Sequence, residues 1–494
     1  MNRRNFLKMA GAGMAGALLP GIAKGTGETA ASDEKPNLLV IMTDEFNFRT
    51  LGCYRALLHD KQAHIWGPDA IVETPHIDSI ARRGALCNRF YCASPVCTPS
   101  RASFFTGLYP QSTGADLPGA SLRDDMVTFA KVLRKKGYST GYAGKWHLDG
   151  EGKPGWAPQR KFGFTDNTYM FNRGHWKMLE DTEYGPEVKS RDAMGEPDYG
   201  LEGVDEQSYT TDFLADKTVD FIQANQDKPF CFVLSIPDPH TPVSVRPPYD
   251  TMYLGMPVER PKTAPADGEF DDMAQYFGMI KCIDDNVGKI LEALSAAGVA
   301  KRTIVVFTAD HGNMCGQRGQ TGKGFAYEDS ARIPFVIKCP GQIKPLTIVS
   351  EAMNSTDFKP TILSLMGIAD TRANHGHDKS AILRGAAPTG HPDITFSRNA
   401  YGKWLMAADR RYKFIVNKYA DPELFDMHKD SSETRNLVYE EASHEDIRRL
   451  GRALLHYCVR FSEPIAADPR IQASMQWAAE EEWRPYSWHP PRWT

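Results

Sequence analysis

The apolar positions of this chain gather in short unbroken runs, and several runs end abruptly in an acid, a lysine or a histidine. Residues 37–43 read NLLVIMT, 230–236 read FCFVLSI and 303–308 read TIVVFT. Runs apolar on both faces are what buried parallel strands require, because helices cover both sides of such a sheet. Further strands are predicted at 89–93, 138–143 and 332–337. Between them the spacing changes to that of amphipathic helices. These are predicted over 74–83, with Thr74 as N-cap and Pro75 in the first turn, over 129–136 closed by Gly137, and over 211–223 and 271–297. After about Gly390 the character shifts: 412–416 and 423–426 read as strands of a short antiparallel sheet, followed by a helix at 445–461. The pattern predicts an α/β protein with a large, mostly parallel sheet flanked by helices over 32–390. A smaller C-terminal subdomain occupies 391–494.

Composition narrows the function more than the fold. The 494 residues carry a formal net charge of −4, which argues against a nucleic-acid binder; any attraction for an anion must be local to a pocket. Nine cysteines without CxxC pairing speak against a zinc or disulfide framework. At the N-terminus, Asn2-Arg3-Arg4-Asn5-Phe6-Leu7-Lys8 precedes a Gly/Ala-rich run over 9–20 that is too short to span a bilayer. With small residues around Thr29-Ala30-Ala31, residues 1–31 resemble a twin-arginine export signal. That implies the Tat translocon as a partner, no stable membrane span, and a periplasmic or secreted protein.

The chemistry sits where the apolar runs stop. Asp44-Glu45, Asp238-Pro239-His240 and Asp310-His311 each follow a predicted core strand, at the sheet edge where open α/β folds place their ligands. Asp44, Glu45, Asp310 and His311 would make a carboxylate-rich site for a hard divalent cation. Cys97-Thr98-Pro99-Ser100-Arg101 places a nucleophile at a helix start, with Arg101 one turn on, a setting that favours an anionic group. Lys145 and His147, two apart, would share a face on an extended segment and suit anion binding and proton transfer. The long stretch 149–209 is rich in aromatics. Trp156, Arg173, His175 and Trp176 could line a carbohydrate cleft or form a satellite core. His375 and His377 lie in a polar loop that could touch substrate or stay solvated. The Trp-rich tail (Trp477, Trp483, Trp488, Trp493, with Tyr486) is expected to dock on the body.

Cys97-x-Pro99-Ser100-Arg101 followed by Thr106-Gly107 resembles the signature of the type I sulfatases. Gly137-Tyr138-Ser139-Thr140 with Gly144-Lys145-Trp146-His147-Leu148 resembles their second signature, and Pro239-His240-Thr241-Pro242, Lys323 and the stretch 430–437 recur in the family's order. The resemblance implies an alkaline-phosphatase-like fold and a sulfate ester as substrate. It also implies oxidation of Cys97 to formylglycine by a formylglycine-generating or sulfatase-maturing enzyme. It implies calcium, with Mg2+ or Mn2+ permitted by the imidazole, held by Asp44, Glu45, Cys97, Asp310 and His311. Glu45 departs from the family's Asp pairs or Asp-Gln. Catalytic roles fall to Cys97 as nucleophile, Arg101, Lys145 and Lys323 for developing charge, His240 as leaving-group acid and His147 as base. Export and the aromatic stretch point to sulfated polysaccharides or oligosaccharides. Small aryl sulfates, phosphonate or phosphate esters, and a non-enzymatic sulfated-glycan binder with unmodified Cys97 are the rival readings.

Overall fold

A computed structural model describes residues 34–370, 372–387, 390 and 393–488. The twin-arginine segment and Trp493 lie outside the described residues. The main sheet is built from β1 (Asn37–Thr43), β2 (Ala85–Tyr91), β3 (Ser139–Lys145), β4 (Met170–Phe171), β7 (Phe230–Ile236), β8 (Thr303–Ala309), β9 (Phe335–Lys338) and β10 (Thr347–Asn354). These eight strands lie in the order β10-β2-β9-β8-β1-β7-β3-β4. Strands β5 (Leu179–Thr182) and β6 (Gly185–Val188) form a separate hairpin. At the centre β1 pairs in parallel with β7 and β8, and every residue of these three strands is buried. That is why their sequences carry no polar alternation. Only β9 runs antiparallel to its neighbours.

The strand expected at 332–337 begins three residues later. Arg332 instead caps the short helix Glu328–Ala331, and Pro334, which has no N–H to give a ladder, precedes the strand. Strand β10 was not legible. It is an edge strand with a bulge between Val349 and Ala352, and its exposed residues dilute the apolar signal. Helices Pro75–Arg82, Thr210–Ala224 and Met273–Ala296 cover the sheet close to the predicted bounds.

The C-terminal sheet comprises β11 (Thr395–Arg398), β12 (Trp404–Ala408), β13 (Tyr412–Asn417) and β14 (Glu423–Asp426), all antiparallel. Helices His444–Arg460 and Pro469–Ala478 pack on it, and Tyr486 of the tail is buried against Trp477 of the second helix. Buried charge ties this sheet to the main body. Glu328 accepts from Arg89 at 2.9 Å, Arg332 at 3.1 Å and Tyr91 at 2.9 Å, and pairs with Lys413 of β13 at 2.6 Å. Removing the carboxylate with Glu328→Ala leaves Arg89 and Arg332 without their ion-pair partner, while Lys413 keeps Glu433 at 2.8 Å, and should lower the unfolding free energy by about 3–5 kcal/mol. Denaturant unfolding checks this; a change within about 1 kcal/mol would show that the cluster does not hold the subdomains together.

Candidate active site

The helix Cys97–Thr106 starts at the carboxyl edge of the sheet and ends at Gly107, whose φ of +74° closes it in the left-handed region. Its first residue faces the ends of β1 and β8. Cys97 Sγ lies 3.1 Å from His311 Nε2, 3.5 Å from Asp44 Oδ1 and 3.4 Å from Lys323 Nζ. Burial and the Asp44 charge would raise the thiol's pKa. Lys145, Lys323 and His311 outweigh them and bring it down to about 5. Position 97 is therefore an electropositive spot.

Asp44, Cys97, Asp310 and His311 converge, each offering an atom within 4.8 Å of the others. His311 Nε2 stands 3.4 Å from Asp44 Oδ1 and 3.6 Å from Asp310 Oδ1. Burial opposes charge on His311, yet Asp310 and the Cys97 sulfur raise it to about 9. Two carboxylates and one imidazole crowded on a single point form a donor set that fits a divalent cation. Glu45 is not in this group. Its φ of +65° turns the side chain aside, and its Oε2 sits 3.0 Å from both Lys323 Nζ and His240 Nε2. The expectation that Glu45 joins the ligand set therefore gives way to a carboxylate holding the lysine–histidine pair.

Arg101 is fully buried behind the carboxylates. Its Nε donates to Asp310 at 2.8 Å, its Nη1 to the Lys145 carbonyl at 2.6 Å and to Ser235 Oγ at 2.8 Å, and its Nη2 lies 3.5 Å from Asp44. The guanidinium thus holds the two carboxylates from behind and is shut off from solvent. Lys145 Nζ hydrogen-bonds Asp44 Oδ2 and stands 2.7 Å from His175 Nε2. Burial opposes the Asp44 charge, but Lys145 and His240 hold its carboxyl well below the usual range.

The extended backbone expected across Lys145 and His147 ends at Lys145, although the Lys145 charge still acts on the His147 ring. Gly144 has φ +102°, and a Cβ on it would meet the Ser235 carbonyl at 1.9 Å; His147 has φ +59°. Lys145 closes β3, whereas His147 is held by its own N–H on the Asn172 carbonyl at 2.7 Å and by Thr98 Oγ1 on its carbonyl at 3.2 Å. Both ring nitrogens of His147 are buried without a hydrogen-bond partner among the described residues. Burial first, then Lys145 and Arg101, push its pKa well below 6.5. His240 Nε2 lies 2.6 Å from Lys323 Nζ, and its Nδ1 faces the Thr241 carbonyl at 2.8 Å.

The predicted substrate contacts mostly fall elsewhere. Trp176 is buried, with its indole N–H on the Arg173 carbonyl at 3.0 Å, so it offers no face to a sugar. Trp156 packs edge-on against Phe171, and Arg173 pairs with Glu151. The aromatic stretch thus packs into the main hydrophobic core, and of these four residues His175 is the one in contact with Lys145. His375 accepts from the Tyr109 N–H at 3.0 Å and packs on Phe461, while the His377 N–H donates to Asp357 at 2.7 Å. His375 is tied to Gly107, at the far end of the ten-residue helix from Cys97, about 15 Å away. Neither histidine reaches the site. One supporting network lies outside the sequence reading: Asp238 accepts from Lys177 at 2.6 Å, Tyr209 at 2.6 Å and Thr211 at 2.8 Å, fixing the turn that carries His240. An acid between prolines after a core strand was the available signal.

A cysteine on a helix start, a cluster of two carboxylates and an imidazole, and two lysine–histidine pairs meet at the edge of a mostly parallel sheet. The sulfatase family profile matches residues 36–368, and the chain belongs to the sulfatase family, the class of sulfuric ester hydrolases. A profile of the N-sulphoglucosamine sulphohydrolase C-terminal region matches 316–458, and the twin-arginine translocation signal matches 1–20, which marks the chain for export. No helix among the described residues is long and apolar enough to cross a membrane. The chain is 31% identical over 369 residues to an ulvan-active sulfatase of Formosa agariphila, covering 72% of this chain and 66% of that protein. It is 26% identical over 382 residues to an endo-4-O-sulfatase of Bacteroides thetaiotaomicron, covering 70% and 72%. A protein solved in complex with its substrate D-glucosamine-2-N,6-O-disulfate superposes with TM-score 0.72 at 20% identity, covering 88% of this chain and all of that one. A phosphonate monoester hydrolase from Silicibacter pomeroyi superposes with TM-score 0.68 at 24% identity, covering 88% and 97%. These two likenesses bear on the fold alone.

Proposed function

We propose that the exported protein hydrolyses sulfate esters of glycans in the periplasm through a formylglycine at position 97. The observation that carries this reading is the setting of Cys97 Sγ, within 3.5 Å of Asp44, His311 and Lys323 at once. In the hydrated form, formylglycine supplies one hydroxyl to attack sulfur and a second whose deprotonation releases sulfate. A divalent cation, Ca2+ or Mg2+, would be held by Asp44, Asp310, His311 and residue 97, and supplies Lewis-acid stabilisation of oxygen charge there.

The chain's own groups do the rest. Lys145 and Lys323 face the space above position 97 and bind the sulfuryl oxygens as charge shifts. Arg101 holds Asp44 and Asp310 in alignment. The Lys323–His240 pair delivers a proton to the departing alcohol, and Glu45 steadies that pair. His147, neutral and unpartnered, takes the proton that ends the cycle. Matched aryl sulfate, phosphate and phosphonate esters test the class: kcat/KM highest for the sulfate supports it, and highest for the phosphonate overturns it. Metal analysis tests the cradle. Asp310→Asn should purify with less than one equivalent of bound divalent cation, and full occupancy would remove Asp310 from the ligand set.

The leaving group lies on the Lys323–His240 side, and the C-terminal sheet borders that side. Gly324 carbonyl accepts from Asn399 Nδ2 at 2.9 Å and Trp404 Nε1 at 3.0 Å. The same Asn399 holds the turn that carries exposed Tyr401 and Lys403 through their N–H groups. An aromatic and a cation beside the leaving-group lysine suit a charged sugar. Tyr401→Ala should cost about 3–10-fold in kcat/KM on sulfated oligosaccharides, the worth of one ring stacking contact, and nothing on 4-nitrophenyl sulfate. Equal losses on both would exclude a glycan contact there.

A further inference from the structure

The segment between β4 and the helix Thr210–Ala224 sends one side chain into the reaction centre that the roles above leave unexplained. His175 follows a turn with no freedom: Gly174 has φ +115°, and a Cβ there would meet the Trp176 ring at 2.3 Å. Trp176 is itself pinned under Lys153 Nζ, 5.0 Å from its ring centroid. The His175 ring is therefore presented from a rigid base. It lies flat on His240, with centroids 3.4 Å apart and planes within 7°.

Each ring of this stack ends on a lysine. His175 Nε2 meets Lys145 Nζ at 2.7 Å, and His240 Nε2 meets Lys323 Nζ at 2.6 Å. An ammonium has donors and no acceptor, so His175 Nε2 accepts from Lys145 and that neutral ring carries its proton on Nδ1. His240 Nε2 also stands 3.0 Å from Glu45 Oε2, a carboxylate partner for a proton held there. The acceptor of His175 is thus occupied by Lys145, and its face by His240.

We propose that His175 is the positioning residue of the reaction. Its Nε2 fixes the Lys145 ammonium over position 97, and its ring sets the plane of His240 so that the Lys323–His240 pair meets the leaving oxygen. The proposal rests on the reading of His240 as the leaving-group acid.

The matured, metal-loaded enzyme tests it with aryl sulfates running from good to poor leaving groups. His175→Ala removes both contacts, His175→Phe keeps the stacking face without the acceptor, and His240→Ala sets the scale. His240→Ala should lose most on poor leaving groups. His175→Ala should share that trend, falling about 10-fold on good and about 100-fold on poor ones, within the usual span of acid–base assistance. His175→Phe should regain the wild-type dependence on leaving group while its KM stays raised, because Lys145 has lost its anchor. Steep dependence in His240→Ala with a uniform or absent loss in His175→Ala would overturn the positioning role alone. A His175→Phe profile as steep as that of His175→Ala would also overturn it. A flat His240→Ala profile would take down the acid assignment and this proposal together.

Discussion

Cys97→Ala is expected to end sulfate release while leaving the fold intact. The side chain is small, stands at the first position of a helix whose N-cap Val96 makes no side-chain bond, and packs against polar groups more than apolar ones. Trading it for a methyl removes one sulfur atom and leaves the helix in register. Removing a covalent nucleophile commonly costs about 10⁶-fold in kcat, so activity should fall to background. Sulfate release measured beside a thermal melt checks both halves. Turnover retained by the well-folded variant would eliminate position 97 as the nucleophile.

His147→Ala should separate the two halves of the cycle. If His147 removes the proton that releases sulfate, the first step still runs and the second stalls. General-base assistance is worth about 10²–10⁴-fold, enough to make the release step limiting. Rapid mixing with a sulfate ester should then give a burst of alcohol near one equivalent and a slow phase, with sulfate retained on the protein. His240→Ala should show no burst. The burst in His240→Ala and its absence in His147→Ala would mean that the two roles are exchanged. The wild-type pH profile bears on the same assignment. Burial, Lys145 and Arg101 hold the His147 pKa well below 6.5, so the base stays neutral and competent through neutral pH. Turnover should lose it only as pH falls well under that value.

Much of this site could be read from the chain alone, for a physical reason. Strands β1, β7 and β8 are buried on both faces, so their apolar runs are unbroken, and the residues that stop the runs must emerge at one sheet edge. Asp44, His240 and Asp310 were legible on that ground. What escaped depends on backbone turns that periodicity does not encode. Glu45 and His147 both take left-handed φ, which accompanies one carboxylate held on Lys323 and a chain turn just beyond Lys145. Trp176 and His175 are neighbours with opposite fates, one buried in the main core and one beside Lys145 and His240, and composition treats them alike. The polar character of 374–379 reflects bonds to Gly107 and Asp357 at the far end of the Cys97 helix, which look in sequence like substrate contacts.

The central claim is the chemical state of residue 97, and mass spectrometry of the peptide that contains it tests this directly. Enzyme purified from the exported fraction should yield that peptide with the cysteine's thiomethyl group converted to an aldehyde, sulfur lost and oxygen gained, and the aldehyde should capture a hydrazine. The modified fraction should rise and fall with specific activity from one preparation to the next. Full sulfatase activity from protein whose residue 97 is an unmodified thiol throughout would contradict the account.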